Sequence, residues 1–125
     1  MKSFEELTPD QRADICNGCG GKGGKIKPPH AILFAPDCNK HDYDYFLGCK
    51  ETDRLKADWK LRSRMRDRIK TVKIEVLRDH LYINDRFFPG WLVRQIFFRW
   101  ADAYCIGVMI AGRKFFYYGD EPQEV

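Results

Sequence analysis

Long apolar runs are missing from this chain. No stretch approaches the ~20 consecutive apolar residues that a membrane-spanning helix requires. Residues 1–6 are mostly polar, so no signal peptide is visible there. Internal repeats and low-complexity segments are also absent. We therefore expect neither a membrane-spanning protein nor a repeat array, and we expect synthesis in the cytoplasm.

The length and composition are those of one folded domain. With 125 residues, 44% of them hydrophobic and 32% charged, the chain is long enough to bury a core and too apolar to be disordered. We interpret residues 1–125 as a single domain. The five cysteines are an odd number, so at least one is free or pairs with another chain. A cytoplasmic product would keep most of them reduced.

Charge is unevenly distributed along the chain. The formal net charge is +4, but residues 54–78 alone carry ten Lys and Arg against three acids. Such a segment favours phosphates, either of lipid headgroups or of nucleic acid. A solvated helix face with no partner is the alternative explanation.

Helix starts, glycine stops and proline-containing turns predict an all-α fold. They divide the chain into a short helix over 8–16, a loop over 17–37, the helix that carries His41, a long helix from about 52, and a helix that follows Pro89-Gly90 and stops at Gly112. Ala35-Pro36-Asp37 opens the His41 helix, with Asp37 as a cap or first-turn acid, and Gly48 ends it. We expect two antiparallel central helices, a third C-terminal helix across them, and a glycine-rich loop at the site end.

One acid interrupts the apolar stripe of the long helix. Asp58 occupies a position at which an apolar side chain is expected, and a buried carboxylate without a partner costs roughly several kcal/mol. His41, on the antiparallel neighbour, is the natural partner; a capping or surface role is the alternative. The stripe comprises Leu55, Asp58, Leu61, Met65, Ile69, Val72 and Val76, and the apolar side of the third helix comprises Leu92, Ile96, Phe97, Trp100, Ala103, Tyr104, Val108 and Ala111.

A thiol, an imidazole, a carboxylate and a phenol share one face of the helix that carries His41. The residues are Cys38, His41, Asp42 and Tyr45, at spacings of three, four and seven. Neutral His41 can act as a base through one ring nitrogen, while Asp58 accepts a hydrogen bond from the other. Tyr45 can donate to Asp58. No Gly-x-Ser-x-Gly motif is present, and the chemistry needs no protein nucleophile.

The pattern Cys38-x-x-His41-Asp42-x-x-Tyr45, preceded by the Cys/Gly loop of residues 16–24, resembles secreted-type phospholipase A2. It is closest to the small bacterial, phage and viral domains of that family. The resemblance covers roughly residues 14–66 and, more loosely, the Tyr-rich C-terminal segment. It implies calcium-dependent hydrolysis of the sn-2 ester of glycerophospholipids at a membrane surface, with anionic lipid favoured. For localisation, the resemblance adds two alternatives, release from the cell and association with a phage particle.

The resemblance also implies roles for individual residues. His41 would be the catalytic base, with Asp58 as its aspartate and Tyr45 in support, and Asp42 would bind Ca²⁺. Cys19 would pair with Cys38. The carbonyl ligands of the ion would be those of Gly18, Gly20 and Lys22, or, in a register one residue later, those of Cys19, Gly21 and Gly23.

Two other functions fit the same residues. A catalytically inactive, phospholipase-like lipid-binding domain would keep the fold without turnover. A zinc knuckle in a nucleic-acid-binding protein would use Cys16, Cys19 and Cys38, completed by Cys49 or His41. In the phospholipase interpretation we expect no nucleic-acid partner.

Overall fold

A computed structural model describes residues 2–20, 30–83 and 87–125. These ranges contain helices and no β-strand, which confirms the predicted all-α fold. None of the described helices is long and apolar enough to cross a membrane. The α-helices are α1 (Pro9–Ile15), α2 (Ala31–Leu47), α3 (Glu51–Thr71), α4 (Ile74–His80) and α5 (Gly90–Ala111), and short 3-10 turns cover Phe4–Glu6 and Gly112–Lys114.

The two central helices, α2 and α3, are antiparallel. Asp37 near the start of α2 pairs with Arg68 near the end of α3, with Nε to Oδ2 at 2.7 Å, whereas Tyr45 near the end of α2 contacts Asp58 in the first half of α3. Helix α5 runs antiparallel to α3 in turn. Arg94, near the start of α5, donates to the carbonyl of Val72 just after α3, whereas Arg54, near the start of α3, donates to the carbonyl of Met109 near the end of α5. This order places the first half of α3 between the end of α2 and the end of α5.

Helix α2 begins earlier than predicted. It starts at Ala31 and contains Pro36, whereas the sequence pattern placed the start at residues 35–37. Pro36 removes one hydrogen bond to the carbonyl of Ile32, but both residues are exposed, so water can satisfy that carbonyl. Asp37 is therefore not a cap of the helix; it is buried and forms a bidentate ion pair with Arg68.

The predicted long basic helix is two helices. α3 ends at Thr71, and Val72 and Lys73 are extended before α4 begins. The expected apolar stripe is buried at Asp58, Leu61, Met65 and Ile69. Leu55 and Val76, at its two ends, are exposed.

The main core lies where α3, α4 and α5 meet the first half of α2. Helix α5 buries Val93, Phe97, Ala101 and Cys105. This face is rotated relative to the predicted apolar side, and the two have only Phe97 in common. The remaining core side chains include Phe34, Leu61, Met65, Ile69 and Leu77.

The C-terminal segment, residues 115–123, crosses the end of α2, and we call it the C-terminal strap. Its backbone donates from Tyr117 N–H to the carbonyl of Tyr45 at 3.2 Å, and from Gly119 N–H to that of Cys49 at 3.3 Å. Phe116 is buried against Tyr45, whereas Phe115, Tyr117 and Tyr118 are exposed. The strap is held by the buried Phe116 ring, by its backbone, and by side-chain hydrogen bonds from Tyr118 and Gln123.

Candidate functional site

His41 and Asp58 face each other between α2 and α3. The His41 Nε2 atom lies 2.8 Å from Asp58 Oδ1, and both side chains are buried, Asp58 completely. The contact predicted from the interrupted stripe is therefore present. Because Nε2 is engaged by the carboxylate, Nδ1 is the ring nitrogen left to accept a proton.

Tyr45 supports the same carboxylate. One turn after His41 on α2, its hydroxyl donates to Asp58 Oδ1 at 2.6 Å. Burial, and then the hydrogen bond to Asp58, raise the pKa of Tyr45 far above its ordinary value, so the group stays a phenol and a donor. Gly112, after α5, leaves room for this hydroxyl, because a Cβ atom there would lie 2.2 Å from it.

Arg54 completes the surroundings of Asp58 and was not identified from the sequence. Its Nη1 donates to Asp58 Oδ2 at 3.3 Å, and the side chain is 2% exposed. In the sequence it was one of ten cations in a basic segment. The available signal was its position four residues before Asp58, which places the two on one face of α3.

The first part of the glycine loop lies against the start of the His41 motif. The Asn17 N–H donates to Asp42 Oδ2 at 2.9 Å, and the Gly18 N–H donates to Asn39 Oδ1 at 2.9 Å. Gly18 and Gly20 have φ of 74° and 113°, in the region that favours glycine. The structure thus brings Asp42 beside Gly18. Lys22 lies outside the described residues, as do Gly21 and Gly23 of the alternative register.

A hard cation at this loop would take most of its ligands from the backbone and not from side chains. Among the described residues no three His, Cys, Asp or Glu side chains converge around one point. A calcium site of the proposed kind would take a single carboxylate, that of Asp42, together with backbone carbonyls. Asp42 lies within hydrogen-bond distance of the loop backbone, and the left-handed glycines allow that backbone to curl.

The loop is tied to α2 by a disulfide between Cys19 and Cys38. This pairing is the one implied by the phospholipase resemblance. In the disulfide, Cys19 and Cys38 cannot supply the thiolates that a zinc knuckle needs. His41, the alternative fourth ligand of the knuckle, is hydrogen-bonded to Asp58. Cys16 donates from Sγ to the carbonyl of Asn39, and its pKa is raised to about 11, first by burial and then by Asp42, so it remains a thiol.

A cavity of about 690 Å³ opens beside these groups. His41, Asp42 and Tyr45 form its polar wall, with Gly18 and Gly20 from the loop. Another wall is formed by side chains of α5 that the sequence pattern assigned to the core, namely Trp100, Ala103, Tyr104, Val108 and Ala111. Burial raises the pKa of Tyr104 to about 12, so this wall carries no charge from it near neutral pH.

The basic segment, residues 54–78, has fewer cations available to a partner than its composition predicts. Arg62 pairs with Asp102, Arg64 with Asp44 and Arg68 with Asp37, so several of its arginines bind acids of neighbouring helices. Its lysines at positions 56, 60 and 70 are exposed. The positive surface available to a phosphate-bearing partner is therefore mainly lysine.

No protein-family model, curated protein or solved structure matches this chain. The functional assignment therefore depends on the geometry of the site.

Proposed function

We propose that this protein hydrolyses the sn-2 ester of glycerophospholipids with the help of Ca²⁺, using His41 and Asp58 to activate water. The observation that carries the proposal is the buried contact between His41 and Asp58 at the polar wall of a cavity whose other wall is apolar. A buried base–acid pair beside an apolar cavity suits a substrate with an ester next to a hydrocarbon chain.

The His41–Asp58 pair supplies the base. With its proton on Nε2 donated to Asp58, His41 holds a lone pair on Nδ1 and can remove a proton from water as that water attacks the ester carbonyl. Asp58 stabilises the imidazolium that forms, and the hydrogen bond from Tyr45 keeps the carboxylate in place. The proton then passes from His41 to the leaving alkoxide.

Asp42 and the loop backbone would hold the cation. Asp42 contributes the carboxylate, and the carbonyls of Gly18, Gly20 and Lys22 are the proposed partners. Bound Ca²⁺ would polarise the ester carbonyl and stabilise the developing oxyanion. The disulfide between Cys19 and Cys38 holds this end of the loop next to the base.

The wall of the cavity formed by α5 is the proposed site of the acyl chain. The volume of the cavity, about 690 Å³, falls within the range of small-molecule sites. The exposed lysines of α3 are the proposed contacts for anionic headgroups, so vesicles of anionic phospholipid should bind better than zwitterionic ones, and added salt should weaken binding.

A phospholipid with different acyl chains at sn-1 and sn-2 tests the reaction. We expect purified protein with calcium to release the sn-2 fatty acid and a 1-acyl lysophospholipid, and a calcium chelator to abolish release. Release of the sn-1 chain, or equal release with the chelator present, would contradict the proposal. Calcium and vesicle binding without any release would favour the inactive lipid-binding domain, whereas stoichiometric zinc in the purified protein would favour the zinc knuckle.

A further inference from the structure

Arg54 has an unusual environment for one member of a run of basic residues. It lies on α3 one turn before Asp58, and its guanidinium is buried between the end of α5 and the middle of the site. Burying a charged side chain is costly unless partners surround it. The partners of Arg54 therefore indicate what the chain gains from placing it there.

The guanidinium is held from three directions. Nη1 donates to Asp58 Oδ2 at 3.3 Å and to the carbonyl of Met109 at 3.2 Å, one of the last carbonyls of α5 that lack a partner within the helix. On the other side, Nε donates to Glu51 Oε1 at 2.9 Å. The hydrogen bond to Glu51 is the main reason that the pKa of Arg54 is raised. A planar group fixed at both edges has a fixed orientation.

The C-terminal strap holds Glu51 in turn. The Tyr118 hydroxyl donates to Glu51 Oε2, and Arg113 Nε, just before the strap, lies 3.4 Å from Oε1. The hydrogen bond from Arg54, then the one from Tyr118, and to a smaller extent the charge of Arg113 lower the pKa of Glu51 to about 2, so Glu51 is ionised at neutral pH. Contacts thus run from the strap through Glu51 and Arg54 to Asp58.

This arrangement fixes both oxygens of the carboxylate. Oδ1 receives His41 and Tyr45, and Oδ2 receives Arg54. A carboxylate bonded only through Oδ1 could rotate about its χ2 angle, which has a broad energy profile. With Oδ2 engaged, Oδ1 stays directed at His41 Nε2, and the proton of the neutral ring is held on that nitrogen.

We propose that Arg54 is a positioning residue for the His41–Asp58 pair and that Glu51, held by the C-terminal strap, orients it. The inference rests on the proposed function for its catalytic consequence. Its structural content, the orientation of Asp58 and of the His41 proton, does not depend on which substrate the cavity accepts.

The test compares Arg54→Met with Arg54→Lys, Glu51→Gln and the control Arg68→Met, which removes another ion pair of α3 without contacting Asp58. We expect Arg54→Met to lower kcat roughly 10- to 100-fold with KM changed less than about twofold, as for groups that orient a catalytic residue. Arg54→Lys keeps the charge but not the planar fork, so it should recover part of the rate. Glu51→Gln should lower kcat by a smaller factor.

A second readout requires no activity. ¹⁵N NMR in alkaline buffer reports which nitrogen of His41 carries the proton. We expect Nε2–H in the parent and in Arg68→Met, and a mixture of the two tautomers in folded Arg54→Met, with Glu51→Gln between them. The same His41 spectrum in the parent and in all of the Arg54 and Glu51 variants would overturn the inference, as would equal losses of kcat in Arg54→Met and Arg68→Met. A parent protein that hydrolyses no phospholipid would refute the proposed function alone, and the NMR spectra would still decide the role of Arg54.

Discussion

Replacement of Asp58 by Asn changes the side chain to which His41, Tyr45 and Arg54 all form hydrogen bonds. The carboxylate is completely buried and accepts hydrogen bonds from His41, Tyr45 and Arg54. Asparagine has the same shape, but it offers one acceptor oxygen and one NH₂ donor. It therefore cannot accept from both sides of the side chain at once.

Either orientation of the amide in Asp58→Asn has a cost. If its oxygen faces His41, the NH₂ group meets the donor Nη1 of Arg54. If its oxygen faces Arg54, the NH₂ group meets His41 Nε2, and the ring must move its proton to Nδ1, where the proposed base is then blocked. The lost charge-assisted hydrogen bonds should reduce the free energy of unfolding by about 1–3 kcal/mol. The wrong tautomer should lower kcat roughly 10²- to 10⁴-fold.

Three measurements on Asp58→Asn separate these effects. Urea unfolding gives the stability, lipid hydrolysis gives kcat, and calorimetric titration gives the calcium affinity, which should stay close to that of the parent because Asp58 is not a proposed ligand. A variant that hydrolyses lipid at the parent rate would refute the role of Asp58. A variant that is folded but binds no calcium would mean that the carboxylates have been given the wrong roles.

Three further predictions concern the metal, the core and pH. Asp42→Asn should keep the fold but weaken calcium binding roughly tenfold or more in calorimetric titrations, because it removes the charged ligand; unchanged affinity would exclude Asp42 as a ligand. Phe97→Ala should reduce the free energy of urea unfolding by about 3–5 kcal/mol, since the ring is fully buried, whereas Phe87→Ala, at a ring that is 94% exposed, should have little effect. Burial, and secondarily His80, lower the pKa of His30 below its ordinary value of 6.5. The unfolded chain therefore binds the proton more readily than the folded protein, and the free energy of unfolding should fall as the pH drops through 6.5. His30→Asn, which tolerates the left-handed backbone at φ of 61°, should show a smaller fall in stability over the same pH range, and an identical slope in both proteins would contradict this.

The parts of the site that the sequence predicted correctly depend on helical spacing. His41 and Tyr45 lie one turn apart, so any helix through them presents both to the same neighbour. Asp58 interrupts an apolar stripe, and a carboxylate facing a core needs a partner, which limited the choice of contact. The hydrogen bonds that His41 and Tyr45 make with Asp58 could therefore be predicted from the sequence.

Other features depend on contacts between distant segments, which local patterns do not contain. Whether Arg54 is solvated or buried depends on the carbonyls at the end of α5, more than fifty residues away in the chain. The apolar periodicity continues through Val72 to Val76, so the sequence pattern does not mark the break between α3 and α4. The buried face of α5 differs from the predicted one because Trp100 and Tyr104 line the cavity and are only partly buried.

The role of His41 as the base of a hydrolytic site is the core of the proposed function. Its most direct test is the initial rate of calcium-dependent sn-2 ester hydrolysis by the parent, His41→Gln and the control His80→Gln, with circular dichroism to establish that each is folded. We expect parent-like rates for His80→Gln and a rate for His41→Gln at least roughly 10³-fold lower, close to the background without enzyme. A folded His41→Gln protein that hydrolyses phospholipid at the parent rate would contradict it.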